Sequence, residues 1–213
     1  MNLVRSYLFF LVLGYLSGSI LYAELSMRLA HRDARTVQPD ANPGVASAFL
    51  GGGLRCGLPA LAGDLLKGYL PIHWALRYCS LLNPLFALVL LGPVLGHAWP
   101  LFSRFRGGKA ITVSFGILLG LWPLCPAPAA VLAFFYLFYS LIVRISPHSV
   151  RTFAAYGSAL LLDALLGPPF PVLLGFLGVS AIVCFKHWVD LHCRPERVSV
   201  RFFHSSVFHS SNH

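Results

Sequence analysis

Several short stretches of this 213-residue chain carry side chains able to do chemistry. The densest is Gly96–Thr112, GHAWPLFSRFRGGKAIT, where Arg104, Arg106 and Lys109 stand around the glycine pair Gly107-Gly108. Glycines let backbone approach a ligand and present N–H groups, and the adjacent cations favour an anion, most simply a phosphate. It is not a nucleotide-binding P-loop: Ser103 stands where the first glycine is needed, and Ala110 follows the lysine. The plain alternative is a flexible basic loop. The start of a following helix would add its dipole to the lysine and favours the phosphate reading. His97, at the head of the stretch, can serve as base, phosphate donor or structural hydrogen-bond partner.

Asp64 and Lys67 lie three apart, hence on one helical face, inside an otherwise apolar run. Ionisable groups at membrane depth are costly and are functional candidates; an internal salt bridge that orients the helix is the other reading. Asp40-Ala41-Asn42-Pro43-Gly44 has the composition of a turn. His187 and Asp190 also share a helical face, and a His–carboxylate pair supports acid–base chemistry or an interfacial hydrogen bond. RISPHSVR, 144–151, offers hydroxyls, Ser149 among them, between two arginines.

These groups need a scaffold, and composition makes it a membrane. Hydrophobic residues are 57% of the chain and charged residues 11%, against about a quarter charged in soluble proteins. Apolar segments are expected over 3–25, 54–76 and 78–99. Residues 110–143 carry no charge and are too long for one span; the prolines of 122–128 divide them into two short helices. GPP at 167–169 divides 152–185 in the same way. The expected fold is all-α and polytopic, with about seven short transmembrane helices and the motifs on cytoplasmic loops. Residues 1–190 are expected to form one domain, and 191–213 a basic, then Ser/His-rich tail whose last ten or so residues are poorly ordered. The formal charge of +9 could suggest nucleic acid, but the cations sit between apolar segments, where topology and anionic headgroups account for them. With the N-terminus outside, thirteen of the sixteen Lys and Arg residues fall on the cytoplasmic side. Five scattered cysteines with no CxxC spacing suggest neither a disulfide nor a metal site. No long internal repeat points to a transporter.

The order of the motifs resembles the bacterial acyl-phosphate:glycerol-3-phosphate acyltransferases, the PlsY family. GYLSGSI (14–20), DARTVQPDANPGVAS (33–47), DLLKG (64–68), GHAWPLFSRFRGGKA (96–110), RISPHS (144–149) and KHWVD (186–190) follow that family's sequence of motifs across nearly the whole chain. The resemblance implies seven spans in the bacterial inner membrane and a cytoplasmic active site. It implies transfer of a fatty acyl group from acyl phosphate to the sn-1 hydroxyl of glycerol-3-phosphate, giving lysophosphatidic acid, with no metal or other cofactor. Carried over, it makes His187, Asp190, Ser149, Asn42 and Asp40 the catalytic candidates. Gly107, Gly108, Lys109, Arg106, His97, Gly44, Lys67 and Asp64 become the candidates for holding substrate phosphate.

The chain departs from the family pattern at four places. Asp40 stands for the serine of GSGN, Leu50 for an arginine, Ala46-Ser47 for Thr-Asn, and Asp190 for the asparagine of RHRxN. A carboxylate repels phosphate unless it is protonated or paired. The alternative is therefore a catalytically impaired paralogue that binds lipid or a partner protein, or an acyltransferase with a changed acceptor.

Overall fold

A computed structural model describes residues 3–38, 42–194 and 197–202. Asp40 and the end of the tail lie outside these. The described chain is a bundle of eight α-helices: α1 (Leu3–Gly18), α2 (Tyr22–Leu29), α3 (Val45–Ala75), α4 (Phe86–Ala98), α5 (Ile111–Gly120), α6 (Ala127–Leu137), α7 (His148–Leu166) and α8 (Phe170–Cys193). Four stretches are long and apolar enough to cross a membrane: Val4–Leu29, Val45–Ala75, Phe86–Ser103 and Phe170–Cys193. Leu8, Phe9, Leu58, Phe134 and Leu177 face outward from the bundle. That apolar exterior suits lipid and not water.

The expected proline breaks are present, between α5 and α6 and between α7 and α8. Boundaries near the polar loop differ. The segment expected to begin at Leu54 begins at Val45, because Gly53 bends α3 instead of ending it; its φ of 61° lies in the left-handed region that glycine tolerates. The expected segment 78–99 starts only at Phe86, after the turns of Ser80–Leu85.

Apolar side chains gain little by leaving lipid for each other, so helix contact in a membrane depends on close backbone approach. The sequence supplies it with small residues. Gly14 and Gly18 of α1 lie against Pro93 of α4, and Gly92 and Gly96 of α4 lie against backbone of α1. Gly68 of α3 and Gly116 of α5 do the same for the second pair. In both pairs the residue numbers rise together, so α1 runs parallel to α4 and α3 to α5. Phe86, Leu90, Ile117, Tyr156 and Phe176 fill the core between the pairs.

One element is not helical. Val143–Ser146 (β1) pairs antiparallel with Ser199–Phe202 (β2). Val143, Ile145, Val200 and Phe202 share one face, and Arg144 and Arg201 meet on the other. Both strands alternate apolar and polar residues, the period of two that marks a strand.

Candidate active site

The motif residues come together at one end of the bundle, where α3, α5 and α7 begin and α4 and α8 end. At its centre is a buried cluster. The Lys67 ammonium donates to the Ile20 carbonyl (2.6 Å) and His97 Nδ1 (2.8 Å) and forms an ion pair with Asp64, 2.8 Å from its Oδ1. Asp64, Lys67 and His97 are each at most 3% exposed. Lys67 thus ties α3 to α4 and to the break between α1 and α2. The structure puts Lys67, a candidate for holding phosphate, at the hub of this buried cluster. His97 accepts at Nδ1, so in the neutral ring the proton is assigned to Nε2, on the side facing Gly108.

The basic loop is built onto His97. Gly108 N–H donates to the His97 carbonyl at 3.1 Å. A Cβ on Gly107 would overlap that carbonyl, and one on Gly108 would overlap the imidazole. Arg104, Phe105 and Ala110 all hold positive φ, at 51°, 59° and 61°. Three non-glycine residues in that region persist only where the surroundings dictate the backbone. The "flexible loop" reading therefore loses to a held one. We expect Gly108→Ala to push His97 off its seat and to cost about 1–3 kcal/mol. The thermal unfolding midpoint of purified protein in detergent should fall, and an unchanged midpoint would show that the loop yields freely.

Two clefts meet at this loop. One, of about 640 Å³, is lined by Arg35, Arg106, Gly107, Lys109, Lys186 and Asp190, with Trp99 and Phe185 among its walls. The other, of about 560 Å³, is mostly apolar, with Phe49, Leu61, Leu65, Phe115 and Leu119; Asp64, His97 and Gly44 also line it. Asn42 and Lys109 line both, marking where the clefts join.

His187 and Asp190 do not pair with each other. Asp190 Oδ2 accepts from Lys109 Nζ at 2.6 Å. His187 is fully buried, its Nδ1 3.2 Å from Ser149 Oγ. Asp190 reaches the loop before α5, and His187 reaches the start of α7. Ser149 and His187 line neither cleft, and His148, whose ring centre is 5.2 Å from that of His187, intervenes on the apolar side. Leu50, where the family places an arginine, is 73% exposed and borders neither cleft. Ser47, in the place of the family's asparagine, donates to the Asn42 carbonyl at 2.6 Å and so shapes the turn.

Three cleft cations, Arg35, Lys186 and Arg194, were not among the expected site residues. Arg35 is paired with the buried carboxylate of Glu24 and donates to the Arg106 carbonyl at 2.7 Å. Lys186 donates to the Ala98 carbonyl at 3.1 Å and lies over the Trp99 ring at 5.5 Å. The spacing of Lys186 and Asp190, one helical turn apart, is a signal that would have found the lysine. For Arg35 the only local hint is the Asp33-Ala34-Arg35 turn, in which Asp33 Oδ1 accepts from the Arg35 N–H at 2.9 Å.

A cationic cleft opening onto an apolar one at a membrane surface suits a phosphorylated acceptor meeting a lipid donor, and known proteins share both chain and fold. The chain is 32% identical to glycerol-3-phosphate acyltransferase of Dechloromonas aromatica over 184 residues, covering 85% of this chain and 88% of that one. It is 38% identical to the enzyme of the same name from Pasteurella multocida over 111 residues, 52% of this chain and 55% of that one. Crystal structures of PlsY (YgiH), an integral membrane glycerol 3-phosphate acyltransferase, superpose on it. The glycerol 3-phosphate form gives a TM-score of 0.77 at 26% identity, and the lysophosphatidic acid form 0.76 at 25%. Each covers 88% of this chain and 90% of the other. Residues 8–193, from the middle of α1 to the last residue of α8, match the sequence profile described as glycerol-3-phosphate acyltransferase, and the chain belongs to that family.

Proposed function

We propose that this protein transfers a fatty acyl group from acyl phosphate to the sn-1 hydroxyl of glycerol-3-phosphate, releasing lysophosphatidic acid and inorganic phosphate. The observation that carries this reading is the junction of a five-cation cleft with an apolar one at Asn42 and Lys109. The relatives named above act on glycerol-3-phosphate by name, and one of the solved PlsY structures is a lysophosphatidic acid form.

In this scheme the acceptor's phosphate lies in the cationic cleft against Arg35, Arg106, Lys109 and Lys186. The donor's acyl chain lies along Phe49, Leu65, Phe115 and Leu119, continuous with membrane lipid. The acceptor hydroxyl attacks the acyl carbonyl carbon. A new C–O bond forms, the carbonyl-carbon bond to the phosphate oxygen breaks, and the departing phosphate takes the electron pair. Its own oxygens are basic enough to accept the hydroxyl proton, so no protein base is required. Lys109 and the Nε2–H of His97 donate towards charge developing at the junction. Asn42 orients the reacting groups and Gly44 lets the turn close on them. Ser149 and His187, behind the wall, hold His148 and the start of α7 in place. Most of the acceleration comes from positioning and electrostatics, without a metal.

The same reading places the protein in the bacterial inner membrane with its N-terminus outside and the clefts facing the cytoplasm. Residues 1–190 act as one unit. Purified protein given acyl phosphate and radiolabelled glycerol-3-phosphate should form labelled lysophosphatidic acid; an acyl thioester in its place should form none. Absence of product from acyl phosphate in folded protein would favour the impaired paralogue, and product from the thioester alone would replace the donor.

A further inference from the structure

The cationic cleft already contains an anion. Asp190 Oδ2 lies 2.6 Å from Lys109 Nζ, and both side chains are only partly covered, at 24% and 14% exposure. Arg35, Arg106, Lys186 and Arg194 line the same cleft, so its walls carry five cations around one carboxylate. The contact is made across the bundle, between the loop before α5 and the last turn of α8, 81 residues apart. It therefore depends on how the helices pack and is not a local i,i+4 surface pair. Asp190 borders only the cationic cleft, whereas Lys109 borders both.

We propose that Asp190 is a built-in competitor for the phosphate that Lys109 binds, and so sets the protein's affinity for its phosphorylated acceptor. This deepens the reading of the cationic cleft as the acceptor site and rests on it. The carboxylate occupies the lysine when the cleft is empty. A phosphate dianion entering between Arg35, Arg106 and Lys186 either displaces it or shares the ammonium with it. In both cases it meets one negative charge that a neutral side chain would not present. The result is an acceptor site that is emptied readily and saturates only at high acceptor concentration. The opposite role, a carboxylate that merely holds Lys109 in position, predicts the opposite sign when the charge is removed.

Asp190→Asn keeps the shape and removes the charge; Asp190→Ser is a second neutral variant, and Asp190→Glu keeps the charge. Full-length protein in detergent micelles is titrated calorimetrically with glycerol-3-phosphate and, separately, with inorganic phosphate. Both neutral variants should bind each probe more tightly, by about fivefold or more, the size of one partly exposed charge contact. Asp190→Glu should stay close to wild type, and KM for glycerol-3-phosphate should follow the dissociation constants. Equal or weaker binding by a folded neutral variant overturns the proposal. The titrations need no turnover: if no variant forms lysophosphatidic acid but the neutral ones bind phosphate more tightly, the acyl transfer fails and the competition stands.

Discussion

Lys109→Ala should reduce kcat/KM for lysophosphatidic acid formation by about 10²–10³-fold, the range for removing one preorganised donor from developing charge. Among the described residues, Lys109 is the one lysine or arginine that borders both clefts, so it touches the acceptor's side and the donor's side at once. The strained backbone of the preceding loop fixes where its side chain starts, so the ammonium is aimed at the junction before a phosphate arrives. Lys109→Arg keeps the charge but not the shape. A guanidinium is planar and longer, and it would reach past the junction into one cleft. It should recover only part of the loss. The comparison uses radiolabelled product under single-turnover conditions, with folding checked by the unfolding midpoint. A fall of less than about tenfold for Lys109→Ala would move the transition-state contact elsewhere, with the Nε2–H of His97 the next group to test.

What could be read in the residues was what depends on short stretches of chain. Asp64 and Lys67 share a helix and three residues of spacing, and their salt bridge is where that spacing puts it. Proline pairs break the long apolar runs where they stand in the sequence. The glycine–lysine loop and the start of α5 are adjacent, so their junction was visible too. What depends on packing between distant segments was not. Lys109 with Asp190 and Ser149 with His187 are pairings across helices, and periodicity within α8 places His187 and Asp190 on one face without saying which neighbour each meets. Arg35 was hidden for the same reason: its value lies in the buried Glu24 and in the Arg106 carbonyl, 71 residues on. The arginine missing at position 50 illustrates the limit of reading motifs by position. Leu50 faces outward, while Arg35 brings a guanidinium into the cleft from another part of the same loop region.

The second large effect is on stability. Lys67→Met should lower it by about 3–5 kcal/mol, because it leaves the Asp64 carboxylate buried without its counter-charge. Two acceptors also lose their donor: the Ile20 carbonyl and His97 Nδ1. The Ile20 carbonyl lies in the break between α1 and α2, where no helical N–H takes the place of the ammonium. The discriminating measurement is a double-mutant cycle with Asp64→Asn. If the cost of Lys67→Met comes mainly from the stranded charge, Asp64→Asn/Lys67→Met unfolds at a higher temperature than Lys67→Met alone, although it carries one substitution more. If the cost comes mainly from the Ile20 and His97 contacts, the second substitution adds to the first and the double variant is the less stable. Lys67→Met with the wild-type midpoint would mean that the three contacts contribute nothing, and the hub reading would fall. Activity separates hub from ligand independently. Lys67 borders neither cleft, so whatever fraction of Lys67→Met remains folded should bind glycerol-3-phosphate with the wild-type dissociation constant. A phosphate ligand would instead show its loss in binding before it showed in folding.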